Sequence, residues 1–282
     1  MTHPQHTLHP ANRYAALVAH LRDLANEAEL IVTFSGGVDS ALVLAAAVEA
    51  IGERAIALTA VSPTLPIEET EAAVALAREI GARHELVDAH ELDNEAYAAN
   101  TGDRCYHCKT ELFDLAVVAA RSRGAGAIVD GTIVDDLGEH RPGLRAAAEH
   151  GVHHPLVTVG FTKREVRDAA RALGIKAWNK PSFACLGSRF APGTRVTLDR
   201  ILRVARVESA LRREGFRQFR VRYQQIAGDG EGAAEQARIE LDPTEIPRLV
   251  EPGIRERVLA AGRAEGFQRV SLDLEGYGTK RG

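Results

Sequence analysis

The sequence predicts an α/β protein built on a mostly parallel sheet with helices on both faces. Short apolar runs of strand length alternate along the chain with longer segments in which apolar residues recur every three or four positions. Past Pro192-Gly193 this alternation gives way to a long helical segment followed by several strands, which predicts a smaller C-terminal α+β domain. We therefore expect a flexible tail at residues 1–12, a main domain at 13–190 and the α+β domain at 191–282.

Local signals support the individual elements. Pro66 begins one helix and Gly81 ends it, because proline fits the first helical turn and glycine the position after the last. Thr162 and Glu165 have the spacing of a capping box, which predicts another helix start. The predicted helices span residues 13–29, 41–50, 66–81, 108–123, 162–173, 198–214 and 244–265. The predicted strands are the run that starts at Leu30 and residues 54–61, 84–87, 127–130, 218–224, 237–241 and 269–274.

Composition and charge limit the class of protein. Of 282 residues, 45% are apolar and 26% are charged, as in an ordinary globular protein, and no apolar run reaches the length of a membrane span. The polar N-terminus lacks the apolar core of a signal peptide, so we expect a cytoplasmic protein without a membrane partner. The net charge of -4, with a small basic excess from Ala191 onward, favours a small anionic ligand over a nucleic acid.

One segment, at residues 30–50, reads as a strand, a tight loop and a helix start. The apolar run ends at Phe34, the loop Ser35-Gly36-Gly37-Val38-Asp39-Ser40 follows, and an alanine-rich helical segment begins at Ala41. Backbone amides at a helix start attract anions, and two adjacent glycines let the main chain approach one closely. We expect Asp39 or Ser40 to cap the helix. The loop has no lysine at its end and is therefore not a Walker loop.

The same six loop residues resemble the S-G-G-x-D-S signature of the PP-loop ATP pyrophosphatases, the adenine nucleotide alpha hydrolase-like proteins. The resemblance implies that ATP is cleaved between its α and β phosphates and that a substrate oxygen is activated as an adenylate. It makes residues 13–190 an ATP-binding domain. A glycine-rich turn without a ligand is the alternative interpretation. The residues assigned to the ATP phosphates and Mg²⁺ are Ser35, Gly36, Gly37, Asp39 and Ser40.

Ligands of parallel sheets bind beyond the carboxyl ends of the strands. Residues that follow the other predicted strands are therefore further candidates for the ATP site. Ser62, Gly131 and, further along the second of these loops, Arg141 fall there, and we expect all three to contact ATP. Asp135 and Asp136 either hold Mg²⁺ on the pyrophosphate or lie on a solvated loop, and the sequence leaves both alternatives open.

The chain has three cysteines, Cys105, Cys108 and Cys185. So small and odd a number is a poor disulfide framework, and metal, cluster or nucleophile chemistry is the better expectation. A C-x-x-C spacing alone is a weak signal, which a third cysteine strengthens.

Four blocks together resemble the LarE family of ATP-dependent sulfur transferases, which make the nickel-pincer nucleotide cofactor of lactate racemase. The resemblance runs through most of the chain. It departs from the family at Ala191-Pro192-Gly193, where Pro-Tyr-Gly is usual. The blocks are the loop at 35–40, Arg104-Cys105-Tyr106-His107-Cys108-Lys109, Asp130-Gly131-Thr132 with Asp136 and Arg141-Pro142-Gly143-Leu144-Arg145, and Lys180-Pro181-Ser182-Phe183-Ala184-Cys185-Leu186-Gly187-Ser188-Arg189-Phe190.

This resemblance implies that ATP adenylates a carboxylate of pyridinium-3,5-biscarboxylic acid mononucleotide and that sulfur then replaces the adenylate to give a thiocarboxylate. In one branch of the family a single cysteine, at the position of Cys185, gives up its own sulfur. In another, three cysteines hold a [4Fe–4S] cluster with one iron left open for an extra sulfide. We expect the second branch, with Cys105, Cys108 and Cys185 as ligands, because thiolates are the usual ligands of cluster iron. Zinc bound by the three cysteines and His107, or no metal, are the alternatives.

The resemblance also assigns the catalytic residues. Cys185 and Asp39 are expected to act directly, and Ser188 and Arg189 to line the sulfur-transfer pocket.

Further roles fall in the C-terminal domain, which we expect to bind substrate and to form oligomer contacts. Arg220 and Arg222 are two apart on a strand, so they point to one face and are expected to hold the nucleotide phosphate. A solvated strand face is the alternative for this pair. Glu208 and Asp273 match acidic positions of the family without a defined role.

The expected partners are ATP, the nucleotide substrate and further copies of the chain, as a dimer or a hexamer built of dimers.

Three other functions fit parts of the sequence. PP-loop enzymes with three cluster cysteines also thiolate tRNA, but the acidic net charge and the lack of a basic, aromatic-rich module oppose this. An amide-forming ligase would not need the cysteines, and an ATP-dependent switch would not release pyrophosphate.

Overall fold

The computed structural model describes residues 10–138, 142–181, 183–227 and 233–278. The predicted turn at 228–232 and most of the predicted tail at 1–12 lie outside these residues. In chain order the helices and strands are α1 (Pro10–Ala25), β1 (Leu30–Thr33), α2 (Val38–Ile51), β2 (Ala55–Val61), α3 (Ile67–Ile80), β3 (Arg83–Asp88), α4 (Glu95–Ala98), α5 (Arg104–Arg123), β4 (Ala127–Val129), α6 (Pro142–Glu149), α7 (Pro155–Thr158), α8 (Lys163–Ala172), α9 (Leu198–Arg213), β5 (Phe219–Ala227), β6 (Ala233–Leu241), α10 (Ile246–Leu249), α11 (Pro252–Ala264) and β7 (Arg269–Leu272).

The chain divides into two compact units. Most of unit 2 is the chain from Ala184 onward. It also includes two short earlier segments, one just before α3 and one around α4. The domain limits drawn from the sequence, 13–190 and 191–282, stay a prediction. Unit 1 consists of Met1–Ser62, Ile67–Glu91 and Asp103–Phe183, and unit 2 of Pro63–Pro66, Leu92–Gly102 and Ala184–Gly282.

Within its described residues, unit 1 contains a four-stranded parallel sheet in the order β3-β2-β1-β4. Leu30 of β1 lies opposite Ala55 of β2 on one side and Ala127 of β4 on the other. All four residues of β1 are buried, which explains why this strand reads as a continuous apolar run rather than an alternating one. The predicted parallel sheet is confirmed.

Two apolar clusters cover the two faces of this sheet. Leu30 and Val32 pack on one face with residues of α1, α2 and α8, whereas Ile31 packs on the other with Phe113 of α5 and Ala146 of α6. Successive side chains of a strand point to opposite faces, so both faces of β1 are covered by helices. The predicted arrangement of helices on both faces is confirmed.

Two helices differ from the sequence prediction at their ends. α5 begins at Arg104 rather than at residue 108, so both Cys105 and Cys108 lie within its first two turns. α1 ends at Ala25 rather than at residue 29, because Asn26 and Glu27 adopt positive φ angles of 44° and 68° that a right-handed helix does not allow. The polar, charged composition of both segments gave no signal of these limits.

Unit 2 is an α+β structure, as predicted. Within its described residues, β5 pairs antiparallel with β6, and β6 pairs parallel with β7. α9 supplies Ile201, Val204 and Val207 to the buried interior. Among the described residues, no helix is both long enough and apolar enough to cross a membrane.

Candidate active site

The strand order of unit 1 fixes where its ligand site lies. β2 and β3 lie on one side of β1, and β4 lies on the other, so the order of connection reverses between β1 and β4. Ligands of open parallel sheets bind beyond the carboxyl ends of the strands at such a reversal. The loop at residues 34–37 follows β1, and Gly131 follows β4, so both lie at this point.

Hydrogen bonds within the loop hold it in shape. The Ser40 hydroxyl lies 3.1 Å from the Gly37 carbonyl, to which it donates, and 3.3 Å from the Ser35 amide, from which it accepts. The residue at the N-terminus of α2 is Gly37, which has no side chain to cap the helix. The expectation that Asp39 or Ser40 caps α2 was therefore wrong, since both lie inside its first turn. The first amides of α2 are left for an anion.

Two glycines of the site stand where a side chain would collide. Gly36 has a φ of +68°, and a Cβ atom there would lie 2.9 Å from Cβ of Ala73 on α3. A Cβ atom on Gly131 would lie 2.7 Å from the amide nitrogen of Ser40. Gly131 thus allows the loop after β4 to pack against the start of α2, whereas its predicted contact with ATP stays a prediction.

A buried threonine and a histidine support the loop from the sheet. The Thr59 hydroxyl donates to the Phe34 carbonyl at 2.6 Å, and its oxygen lies 2.8 Å from Nε2 of His84. Burial lowers the pKa of His84 below its ordinary value, which favours the neutral ring. Because the Thr59 hydroxyl donates to Phe34, Nε2 of His84 is the donor in the second contact. Sequence reasoning missed this support, since an isolated histidine on an edge strand carries no functional signal.

Two lysines that are distant in sequence bring ammonium groups to the loop. Nζ of Lys163, the first residue of α8, lies 2.6 Å from Oδ2 of Asp39. Nζ of Lys180 lies 2.8 Å from Oε2 of Glu69 and 3.3 Å from the carbonyl oxygen of Gly36. In the sequence, Lys180 is part of the motif around Cys185, whereas Lys163 carries no local signal.

The other predicted ATP contacts of unit 1 have local roles in the structure. The Ser62 hydroxyl donates to Oε1 of the buried Glu91 at 2.5 Å. Asp135 Oδ2 accepts from the Lys163 amide at 2.9 Å, and Asp136 Oδ2 accepts from the Ile133 amide at 3.1 Å. Arg141 lies outside the described residues.

An aspartate and a histidine meet at the end of β4. Nδ1 of His154 lies 2.7 Å from Oδ1 of Asp130, whose carboxylate also accepts from the amide and the hydroxyl of Thr132. The hydrogen bond to Asp130 raises the pKa of His154. Burial raises the pKa of Asp130, but the hydrogen bond and charge of His154 outweigh it and hold this pKa below its ordinary value. The pair was not foreseen, because 24 residues separate its members in the sequence.

Cys105 and Cys108 lie on one face of α5, since residues three apart in a helix are neighbours. Cys105 is exposed and Cys108 is partly buried, and neither forms a disulfide. His107, two residues after Cys105, points to another side of the helix. Among the described residues, no three His, Cys, Asp or Glu side chains are grouped so as to hold a metal ion.

Cys185, in unit 2, stands at the start of a 3₁₀ turn formed by Leu186–Arg189. The guanidinium of Arg189 fixes this turn from inside. It donates to both oxygens of the fully buried Glu208, at 2.7 and 3.1 Å, and to the Ala184 carbonyl at 2.9 Å. The Ser188 hydroxyl also accepts from it at 2.9 Å. Glu208 had no defined role in the sequence, and in the structure it holds Arg189.

A cavity of about 490 Å³ opens in unit 2 beside this turn. Ser188 and Arg189 line it, and so do Arg220, Arg222 and Arg238 from the facing strands. Arg220 and Arg222 share one face of β5, as their spacing predicted. Because guanidinium groups bind phosphates and carboxylates in two-point contacts, the cavity suits a small polyanion.

The arginines of the cavity differ in how they are held. Arg222 donates to Glu240 Oε2 at 2.9 Å and to the Ser188 carbonyl at 2.7 Å, and Arg238 donates to Glu240 Oε1 at 2.9 Å. Arg220 instead lies over the ring of Tyr277, with its Cζ 4.8 Å from the ring centre. Burial lowers the pKa of Arg220, since it penalises the charged form.

A buried asparagine supports one wall of this cavity and was also missed in the sequence. The Asn100 side-chain amide donates to the Ala191 carbonyl at 2.8 Å and to the Thr194 carbonyl at 3.1 Å. The Asn100 backbone carbonyl accepts from the amide of Gly193 at 2.8 Å. The turn at Ala191-Pro192-Gly193, where the family usually has Pro-Tyr-Gly, is thus held by the segment around α4.

Comparison with known proteins agrees with this architecture. Residues 13–129 match the NAD synthase family. An uncharacterized protein of Synechocystis sp. is 42% identical over 247 residues, which cover 88% of this chain and 89% of the relative. The pyridinium-3,5-bisthiocarboxylic acid mononucleotide synthase of Lactiplantibacillus plantarum is 35% identical over 96% of this chain and 94% of its own. A glutamine-hydrolysing GMP synthase of Methanosphaerula palustris, matched through one of its subunits, is 29% identical over 56% of this chain and 54% of that subunit.

The parallel sheet, the uncapped glycine-rich loop and the NAD synthase match define a PP-loop enzyme that uses ATP. Identity to the synthase extends through both units. The chain belongs to the LarE family, and it is an ATP-dependent sulfurtransferase.

Proposed function

We propose that the enzyme adenylates a carboxylate of pyridinium-3,5-biscarboxylic acid mononucleotide and converts it to the thiocarboxylate. The observation that carries this proposal is the arginine-lined cavity beside the turn that follows Cys185. Its volume lies in the range of small-molecule sites, and its guanidinium groups suit a ligand with a phosphate and two carboxylates. The Lactiplantibacillus plantarum relative, whose name states the bisthiocarboxylic product, supports the same substrate.

In the first step the nucleotide loop holds ATP. The uncapped amides of α2 receive the phosphates, Asp39 holds Mg²⁺, and Ser62, Gly131 and Arg141 complete the surroundings of ATP. A substrate carboxylate oxygen attacks the α phosphorus, and the bond from this phosphorus to the bridging oxygen breaks. Pyrophosphate leaves with the electron pair, and an acyl adenylate remains. Sulfide then attacks the acyl carbon, and AMP leaves.

Arg220 is the proposed anchor of the substrate phosphate. Its charge is penalised by burial, so an anion beside it recovers part of that penalty. Arg222 contacts the same phosphate from a position fixed by Glu240 and Ser188. Arg189, whose contacts are to Glu208 and the Cys185 turn, acts as a positioning residue for Ser188 and Cys185.

We expect the cysteines to hold a [4Fe–4S] cluster, because thiolates are the usual ligands of cluster iron. Cys105 and Cys108 share a helical face, and the family resemblance makes Cys185 the third ligand. Zinc bound by the three cysteines and His107 is the alternative metal. When bound, the [4Fe–4S] cluster would carry the sulfide that replaces AMP. The alternative is that Cys185 gives up its own sulfur once.

The substrate assignment is tested by incubating anaerobically purified enzyme with Mg·ATP, sulfide and the biscarboxylic mononucleotide. We expect AMP, pyrophosphate and the thiocarboxylate by mass spectrometry. Arg220→Met should weaken substrate binding about tenfold, as expected for one lost charged contact. Arg217→Met, at an exposed position on the same unit, is the control and should bind like the wild type. Release of AMP and pyrophosphate only with ammonia, or salt-sensitive tRNA binding, would contradict the assignment.

The sulfur source has its own test. After anaerobic reconstitution with iron and sulfide we expect a broad visible absorption that Cys105→Ala abolishes and several turnovers per chain. A colourless protein that turns over once, with Cys185 lighter by the mass of H₂S, would establish the sacrificial route instead.

We also propose a cytoplasmic enzyme that assembles as a dimer or as a hexamer built of dimers, on the strength of its family resemblance. Sedimentation velocity of the purified protein should show one of these assemblies, and a monomer over the working concentration range would contradict the proposal.

A further inference from the structure

One aspartate–histidine pair of unit 1 has no part in the steps described so far. Asp130 follows β4 directly, and the chain before His154 runs beside it as an extension of the sheet. The His153 amide donates to the Ile128 carbonyl at 2.9 Å, and the Asp130 amide donates to the His153 carbonyl at 3.1 Å. The sheet therefore fixes His154 at its carboxyl edge, next to Gly131 and the start of α2, where ligands of such sheets bind.

The pair lies on the side of the sheet that α5 covers. Ile128 packs on that side, whereas Val129 packs on the opposite one. Successive side chains of a strand alternate between the faces, so Asp130 returns to the α5 side. The charge of Lys109, on α5, acts on both members of the pair. Lys109 follows Cys108 directly, so the pair belongs to the side where α5 begins and carries its two cysteines.

Only one ring nitrogen of His154 is engaged. Nδ1 lies 2.7 Å from Oδ1 of Asp130, a buried carboxylate that also accepts from the amide and the hydroxyl of Thr132. An ionised carboxylate can only accept, so the proton of this hydrogen bond is on Nδ1. In the neutral ring Nε2 then has a lone pair. Within the described residues Nε2 has no hydrogen-bond partner, and the side chain is 23% exposed.

This is the arrangement of a histidine base. A buried carboxylate fixes the tautomer and the orientation of the ring, and the other nitrogen is free to exchange a proton with a reactant. The hydrogen bond to Asp130 raises the pKa of His154 above 6.5, and burial and the charge of Lys109 oppose this rise. A histidine in such surroundings exchanges protons near neutral pH.

We propose that Nε2 of His154 accepts the proton that sulfur loses when the thiocarboxylate forms. The inference rests on the proposed function, because this proton belongs to its sulfur step. A hydrosulfide ion attacks the acyl carbon of the adenylate and supplies the electron pair of the C–S bond. The C–O bond to AMP breaks, and its electron pair stays on the phosphate oxygen. The sulfur still carries one proton, which passes to Nε2 and then to solvent. Asp130 is a positioning residue, since it contacts the ring and not the sulfur.

The test separates the two half-reactions. Exchange of labelled pyrophosphate into ATP, with the biscarboxylic mononucleotide present, reports adenylate formation. Anaerobic single-turnover mass spectrometry with added hydrosulfide reports the sulfur step. His154→Asn keeps a donor for Asp130 in the place of Nδ1 but lacks Nε2. It should slow the sulfur step about 100-fold, as for a lost general base, and slow the exchange much less. If this variant does not fold, His154→Gln offers the same comparison.

The matched control is His150→Gln. Nε2 of His150 also lies 3.0 Å from an aspartate oxygen, that of Asp114, in the same unit. The Asp114 side chain is 67% exposed, so this pair lies on the surface. Both half-reactions of the control should proceed as in the wild type.

The pH profile distinguishes a base from a structural contact. Rates are expressed per concentration of hydrosulfide ion at each pH, which removes the titration of the reactant. A base must be neutral to accept a proton, so the wild-type sulfur step should become faster as pH rises through the pKa of His154. Asp130→Asn removes the charge that raises this pKa, so the increase should move to lower pH. In His154→Asn the increase should be absent.

The outcomes that contradict the inference differ from those that contradict the proposed function. If the wild type exchanges no pyrophosphate with this substrate, the substrate assignment is wrong and the inference is lost with it. Normal exchange with an unchanged sulfur step and pH profile in His154→Asn would exclude the base alone. Equal loss of both half-reactions, with a lower melting temperature, would make the pair a structural support for the loop after β4.

Discussion

The two units offer an anion two different kinds of site. In unit 1 the candidate site is made of backbone amides at the start of α2, and the ammonium groups beside it belong to residues distant in the sequence. In unit 2 the site is made of arginine side chains on paired strands, and buried or half-buried carboxylates hold most of them in place. The backbone site depends on close packing, and the arginine site depends on charge pairing.

This difference predicts how each site fails. Loss of a partner in unit 2 leaves a buried charge unpaired, which is strongly destabilising. In unit 1, a larger side chain at a close contact displaces the backbone. This displacement costs less unfolding free energy, but it acts directly on the proposed nucleotide site. The expected effects of single substitutions follow that order.

The largest effect is expected from Glu208→Gln in unit 2. Glu208 is fully buried and accepts two hydrogen bonds from Arg189 and one from the Val221 amide. Removing its charge leaves the buried Arg189 guanidinium without its opposite charge, which should lower the free energy of unfolding by about 3–5 kcal/mol. Urea unfolding monitored by circular dichroism measures this loss. Substrate binding should fall as well, because Arg189 positions Ser188 and Cys185.

The matched control is Glu214→Gln. Glu214 also makes a two-point pair, with Arg257 at 2.6 and 2.7 Å, but at the surface. Exposed ion pairs contribute little to stability, so this variant should unfold like the wild type. Equal losses for Glu208→Gln and Glu214→Gln would show that burial does not set the cost and would remove the contrast between the units.

A smaller effect is expected from Gly131→Ala in unit 1. The new methyl group would lie 2.7 Å from the Ser40 amide nitrogen, so α2 or the loop after β4 must shift. Such overpacking costs about 1–3 kcal/mol of unfolding free energy, and the shift should weaken ATP binding more than it weakens folding. Gly138→Ala, where a Cβ atom has no neighbour within 4 Å among the described residues, should change neither quantity. Normal ATP affinity in Gly131→Ala would show that the start of α2 does not need this packing.

The sequence revealed the backbone site well because all its parts are contiguous. A strand, two glycines and a helix start occupy residues 30–50, and each has a strong local signal. The residue that precedes α2 was not predicted. The same loop residues are compatible with a helix capped by Asp39 and with an uncapped helix that begins earlier. The structure shows the open end, with Gly37 in the capping position.

The sequence could not show which arginines of the cavity pair with a carboxylate and which do not. The spacing of Arg220 and Arg222 placed them on one face, but their difference depends on Glu240, which faces them from β6. In the same way, Lys163 reaches Asp39 and His154 reaches Asp130 only through the fold. Pairings across long stretches of chain leave no periodic or contiguous pattern to read.

The smallest expected effect concerns pH, and it should be confined to unit 1. His84 and His154, the two histidines whose pKa values are shifted, both lie in segments of unit 1. Two histidines of unit 1 should respond in opposite directions, because the pKa of His154 is raised and that of His84 is lowered from 6.5.

The raised pKa means that His154 stabilises the fold fully below pH 6.5, and this contribution is lost as pH rises through the folded-state pKa. The lowered pKa of His84 means that the unfolded chain binds the proton more readily, so stability falls as pH decreases below 6.5. His154→Gln should therefore differ most from the wild type at acidic pH, and His84→Gln least. Each effect should stay below about 1 kcal/mol, since both side chains are only partly buried and solvent screens them. Urea unfolding from about pH 5.5 to 8.5 measures the two differences, and curves parallel to that of the wild type would show that neither hydrogen bond controls the titration.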